Sequence, residues 1–245
     1  MQKQVVVILG ATGGIGSALA RRLSQKETFL LLAGRNQEKV NNLASELHAK
    51  GFVLDATKFE HVEACAKHAI DTFGDIHAIV NCVGGFMLKP AHLTTEEEWR
   101  HMLAVNLDSA FATVRAAGRY MRKSGGVVVL VSSAAARLGL SNHDAVAAAK
   151  AGVIGLTLAS AATYAAKGIR VNAVAPGLVQ TQLSERITSN ENSRKVSLGL
   201  HAIGRLGEPD DVASMIEWLV DPANSWVTGQ VFGVDGGLGT VRAYT

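Results

Sequence analysis

Short runs of apolar, mostly β-branched residues recur along the chain at 4–9, 28–33, 51–54, 77–82, 126–131, 169–174 and 230–234. Within each run hydrophobic residues follow one another without alternation, the pattern of strands covered on both faces of a parallel sheet. Between them, at 15–26, 37–49, 58–73, 95–122, 143–166 and 208–220, apolar residues return at helical spacing. This alternation predicts an α/β fold, a doubly wound sheet of seven mainly parallel strands flanked by helices. No linker or shift of composition divides it, so residues 1–245 read as a single domain. The stretch 181–207 breaks the rhythm and reads as irregular. An insertion there lies over the carboxyl end of the sheet, where ligands bind in such folds, and is a candidate lid.

Composition narrows the classes. Hydrophobic residues make up 48% of the chain, with 25 Gly and only 4 Pro, which suits tight turns between regular elements around a substantial core. The net charge of +3 comes from scattered residues, so no nucleic-acid partner is expected. No uninterrupted apolar run reaches the roughly 18 residues of a membrane span, so no membrane partner is expected either. The first residues enter a strand pattern almost at once, leaving no room for a signal peptide. The two cysteines, Cys65 and Cys82, form neither a disulfide framework nor a metal-ligand spacing. These features read as a cytoplasmic protein with reduced thiols and no metal.

The first strand runs directly into Gly10-Ala-Thr-Gly-Gly-Ile-Gly16 and then a helix pattern. Gly10, Gly14 and Gly16 allow a tight turn, close approach of backbone to a pyrophosphate, and close packing of helix on strand. The helix N-terminus adds unpaired N–H groups and a favourable dipole for phosphate. After the second strand, where a carboxylate would take the ribose hydroxyls of NAD, stand Gly34 and Arg35. A guanidinium there suits a 2′-phosphate, so NADP(H) is expected in preference to NAD(H).

With these pieces in order, the chain resembles the short-chain dehydrogenases/reductases over essentially its whole length. The resemblance rests on the glycine turn, Leu54-Asp-Ala, Asn81-Cys-Val-Gly-Gly, Val105-Asn-Leu, Val131-Ser-Ser, Lys150, Val171-Asn-Ala-Val-Ala-Pro-Gly-Leu-Val-Gln-Thr181 and the closing Asp235-Gly-Gly. It implies a Rossmann-type sheet that binds the cofactor through Gly10, Thr12, Gly14, Ile15, Gly16, Arg35 and Gly84. It further implies that Asp55 bonds the adenine amino group and that Asn81 braces the sheet nearby. Pro176, Gly177, Val179 and Thr181 would hold the nicotinamide carboxamide and phosphate. Asn106 would support a water chain, Ser133 (rather than Ser132) would orient the substrate oxygen, and Lys150 would bond the nicotinamide ribose. Many members form dimers or tetramers, and the small residues of 145–161 suit such a homo-oligomer.

The chain departs from the family pattern at the proton donor. Most members carry a tyrosine four residues before the lysine; here that residue is Val146. A positioned acid contributes ~10²–10⁴ in rate, which valine cannot replace. Positions 143, 146 and 150 share one helix face, so His143, about 10 Å along the axis from Lys150, is the candidate replacement. Ser141 is a possible helix cap before it, and a neutral imidazole can polarise an oxygen through its N–H. Tyr120 and Tyr164 are poorly placed, and Tyr244 approaches only if the C-terminus folds back or crosses subunits. Two functions follow. One is NADPH-dependent transfer of hydride to a carbonyl or conjugated C=C, the apolar Leu198, Leu200, Ile203 and the 84–90 loop suiting an acyl-like small-molecule substrate. The alternative is a cofactor-binding protein with little turnover, a sensor or scaffold.

Overall fold

The computed structural model describes residues 3–242. Seven strands, β1 (Gln4–Leu9), β2 (Thr28–Gly34), β3 (Lys50–Val53), β4 (Ala78–Asn81), β5 (Gly126–Val131), β6 (Ile169–Pro176) and β7 (Val231–Val234), form one sheet in the order β3-β2-β1-β4-β5-β6-β7. Every pairing is parallel, with Val6 of β1 opposite Leu30 of β2 on one side and Ala78 of β4 on the other. Both faces are covered, which is why the strand runs do not alternate. On one face lie α3 (Phe59–Phe73), α5 (Ser109–Tyr120) and α6 (Asp144–Tyr164), contributing Cys65, Ala112 and Val153 to a continuous core. On the other lie α1 (Gly14–Ser24), α2 (Gln37–Glu46) and α9 (Pro209–Val220), contributing Leu19, Leu43 and Ile216. Arg22 bridges from α1 to Asp210 and Glu217 of α9.

Three elements differ from the sequence reading. The stretch read as one helix over 95–122 is α4 (Glu96–Leu103), a single π-turn at Ala104–Asp108, and α5. Each flanking segment keeps helical periodicity and the π-turn only shifts the phase between them, so over this length the pattern reads as one helix. The region 181–207 is largely helical, with α7 (Glu185–Thr188) and α8 (Glu191–Leu200), the latter capped by Asn190 accepting from the Ser193 N–H. Finally, Ser141 is not the cap of α6: Asn142 takes a left-handed backbone (φ 61°), the helix begins at Asp144, and His143 is the capping position.

Taken with its 3₁₀ extension to Lys167, α6 is long and apolar enough to cross a membrane, with a mean hydropathy of 1.6. Here it lies against β5, β6 and α5, burying Ala145, Ala149, Val153 and Ala161 along one side. From β1 the chain runs outward to β3 and then crosses to β4 on the opposite side of β1, so adjacent connections diverge at β1 and β4. That divergence opens a crevice at the carboxyl ends of the strands.

Candidate active site

The crevice is a cleft of about 1000 Å³ above β1 and β4. Gly10, Thr12, Gly14, Ile15 and Gly16 form its floor. Gly10 has φ 75°, and a Cβ on it would lie 2.9 Å from the Cys82 carbonyl carbon; one on Gly16 would lie 2.3 Å from the Gly10 oxygen. Neither position accepts a side chain. No side chain caps α1 and no acidic residue occupies its first turn, so its leading N–H groups remain available to an anion. Arg35, Asp55, Gly84 and Thr181 line the same cleft, as does Lys39, which sequence reading missed. Lys39 stands four residues after Arg35, in the first turn of α2 behind its Asn36 cap, and that nearness in sequence was the signal for a second cation. Burial alone would raise the Asp55 carboxyl. The Thr57 N–H and hydroxyl, with Arg35 and Lys58, outweigh it and hold the group below the ordinary aspartate value.

Lys150 is buried beneath Gly84, where a Cβ would lie 3.5 Å from Nζ. Its ammonium donates to the Val131 carbonyl at 2.7 Å. Desolvation pushes its pKa down to about 8, and the neighbouring Cys82 thiol is pushed up to about 12 by its own burial. Ser132 is buried and donates to the Lys150 carbonyl, so it braces α6 on β5, whereas Ser133 lines the second cavity. Asn106 lies in the π-turn. Its Oδ1 accepts from the Gly85 N–H and its Nδ2 donates to Gly85 O and Met102 O, pinning the loop after β4. Asn81 donates to Ser109 and Thr113 and accepts from the Val83 N–H, tying β4 to α5. Val179 is buried in a bridge to Gly207 and lines neither cleft nor cavity.

The second cavity, about 600 Å³, lies beneath α8. Ser133, His143, Val146, Pro176, Gly177 and His201 face it, amid Phe86, Leu88, Val196 and Leu200. Of the three lid residues expected there, Leu200 alone lines it; Ile203 faces a neighbouring pocket. Cleft and cavity share two loops: after β4, Gly84 faces the cleft and Phe86 the cavity; after β6, Gly177 faces the cavity and Thr181 the cleft. Lys150 lies between them and lines neither.

His143 is partly exposed, its ring edge-on to Phe86 with centroids 5.8 Å apart. The Lys89 N–H donates to the Asn142 carbonyl and holds the Phe86 loop against this turn. His143 Nδ1 lies 2.8 Å from the Ser141 carbonyl oxygen, which can only accept, so Nδ1 carries the hydrogen. The neutral ring therefore presents a lone pair at Nε2, not the N–H that the sequence reading expected. Tyr164 packs against Gly118 and Tyr120 against the core beneath α3 and α5, and neither lines the cleft or the cavity. Tyr244 lies outside the described residues.

A family model described as enoyl-(acyl carrier protein) reductase matches residues 10–239. A 3-oxoacyl-(acyl-carrier-protein) reductase of Vibrio cholerae is 32% identical, over 97% of this chain and 98% of its own. A short-chain type dehydrogenase/reductase from Mycobacterium ulcerans superposes with a TM-score of 0.94 at 28% identity, covering 99% of this chain and 92% of that one. Actinorhodin polyketide ketoreductase with NADPH gives 0.90 at 28% identity, covering 98% of both chains. With the seven-stranded parallel sheet, the glycine turn and the buried lysine of α6, these likenesses establish that the chain belongs to the short-chain dehydrogenase/reductase family.

Proposed function

We propose that the chain is an NADPH-dependent oxidoreductase acting on a carbonyl or conjugated C=C of an apolar, acyl-thioester-like substrate. His143 takes the proton path that a tyrosine at 146 would otherwise serve. One placement carries the reading: Ser133 and His143 line a single, largely apolar cavity with Pro176 and Gly177, and Val146 stands in its wall. The open glycine floor, the uncapped N-terminus of α1 and the cations Arg35 and Lys39 fit a dinucleotide with an extra phosphate, for which NADPH is preferred over NADH. The bound cofactor supplies the hydride.

The chain's own groups do the rest. The Ser133 hydroxyl donates to the substrate oxygen, and Phe86, Leu88 and Leu200 exclude water from the acyl portion. Because Nδ1–H of His143 is held by Ser141, only the imidazolium has a proton to give from Nε2. Reduction therefore calls on the protonated ring, and the reverse oxidation on the lone pair.

The test is NADPH oxidation on matched 3-oxoacyl and 2-enoyl thioesters with wild type and His143→Ala. Turnover in the variant is expected to drop ~10²–10⁴-fold, and the preferred thioester names the reaction. Unchanged turnover removes His143 from the proton path. A second reading, cofactor binding with little turnover, is favoured by Lys150, whose Nζ is held by Val131 and faces neither cavity. Tight NADPH binding with no oxidation on either thioester selects it.

We further take the protein to be a cytoplasmic homodimer or homotetramer without nucleic-acid or membrane partners. The oligomer is supported by Leu158 on α6 and Phe111 on α5, 54% and 47% exposed. A monomeric mass by sedimentation removes that assignment.

A further inference from the structure

The proposed proton path leaves a second histidine of the cavity unused. His201 follows α8 and is only 4% exposed. Its Nδ1 lies 2.7 Å from the Ser197 carbonyl oxygen, and its Nε2 lies 3.1 Å from the Leu178 backbone nitrogen. The carbonyl must accept and the N–H must donate, so Nδ1 carries the hydrogen and Nε2 offers its lone pair. Both nitrogens are spent on backbone, leaving none for a substrate. The ring fills a slot between glycines: a Cβ on Gly177 would lie 2.6 Å from Nε2, and one on Gly236 3.5 Å from the imidazole Cδ2. One hydrogen bond, from the Leu178 N–H to Nε2, thus joins the loop leaving β6 to a ring that Ser197 holds on the lid helix α8.

We propose that His201 is a positioning residue: neutral, it latches the lid onto Leu178, and a second proton on Nε2 releases it, loosening lid and cofactor together in acid. Only the effect on the cofactor rests on the reading given under Proposed function; the latch stands without it. In the imidazolium an Nε2–H faces the Leu178 N–H, donor against donor, in a site shut from water. The charged and titratable groups around it are few. Asp235, after β7, has its carboxylate taken by the Gly237 and Gly239 N–H groups, each at 3.0 Å. Arg205, before α9, is paired with Asp211 on α9. His143 shares the cavity from the start of α6. None of them hydrogen-bonds the His201 ring, so no carboxylate is there to hold the second proton.

The test is amide hydrogen exchange of the cofactor-free protein at pH 8 and pH 5.5, corrected for intrinsic rates, with NADPH affinity measured in parallel. Wild type is expected to lose about tenfold protection at Leu178 and across residues 191–200 at the lower pH. His201→Gln, whose amide oxygen accepts from Leu178 without titrating, keeps its protection. His201→Phe is unprotected at both pH values. The NADPH dissociation constant is expected to rise about tenfold more in wild type than in His201→Gln, with His143→Gln following wild type. Undiminished wild-type protection at Leu178 in acid overturns the latch, whether or not the variants fold. Equal pH dependence of NADPH binding in wild type and His201→Gln overturns its coupling to the cofactor. The expected exchange pattern with no NADPH binding at any pH supports the latch and removes the cofactor reading alone.

Discussion

The cleft and the cavity are two recesses of different construction. The cleft is made of backbone: a positive-φ glycine, a second glycine packed on its carbonyl, and a helix end left open. Its central features come from one contiguous stretch after β1. The cavity is made of side chains from separate segments, the loops after β4, β5 and β6, the start of α6, and α8. Backbone geometry of the first kind recognises a group common to many proteins. In the proposed function, side chains of the second kind select the reaction, and here they include two imidazoles and a valine. The contrast also explains why changes that leave the cleft intact can alter the chemistry next to it.

The strongest way to break that contrast is Val146→Tyr, which places a phenol one turn before Lys150 and touches nothing in the cleft. Reduction of the 3-oxoacyl thioester is expected to rise ~10²-fold or more, and His143→Ala should then cost little in the double variant. An unchanged rate would mean that the cavity lacks more than an acid.

The cleft is probed by Arg35→Ala. Losing charge-assisted bonds worth about 1.5–3 kcal/mol should weaken NADPH ~10–100-fold while leaving NADH nearly unaffected. Equal losses for both cofactors, by titration of cofactor fluorescence, would detach Arg35 from the extra phosphate.

The smallest effect concerns Lys150, which stands between the two sites. Its value of about 8, against an ordinary 10.5, marks an ammonium disfavoured by burial, a cost of about 3 kcal/mol at neutral pH. The unfolded chain therefore holds more protons between pH 8 and pH 10.5. Wild-type stability should rise with pH across that window, and Lys150→Met should lack the rise. At pH 7 the variant should be more stable by about 2 kcal/mol, because relief of the burial cost outweighs the ~1 kcal/mol lost when the Val131 carbonyl gives up its partner, yet inactive. Urea denaturation at pH 7 and pH 10 reads both; a destabilised variant with unchanged pH slope would show that the ammonium is well compensated.

Strands were the most legible part of the fold, because a sheet covered on both faces needs unbroken apolar runs such as Val5–Leu9 and Val127–Leu130. The π-turn at Ala104–Asp108 was hidden, since the residues around it keep the same helical periodicity on either side. The lid looked irregular because α8 has no buried face: among its residues none is buried, so hydrophobic periodicity had nothing to mark. Its Asn190 cap was the available sign. His201 stood alone in the chain with no motif around it, and its importance appears only when Leu178 and Ser197 are brought to its two nitrogens.

By itself the sequence determined the order of strands and helices, the glycine turn, and the presence of a lysine without a tyrosine four residues before it. These depend on local backbone freedom and on which residues can be buried, and both are properties of neighbouring positions. The tertiary structure decided that Ser133 rather than Ser132 faces the cavity, that Lys150 loses solvation, and that His143 offers a lone pair while His201 offers none. Those outcomes depend on burial and on hydrogen-bond partners supplied by segments distant along the chain or by an exact turn geometry, and no spacing rule encodes either.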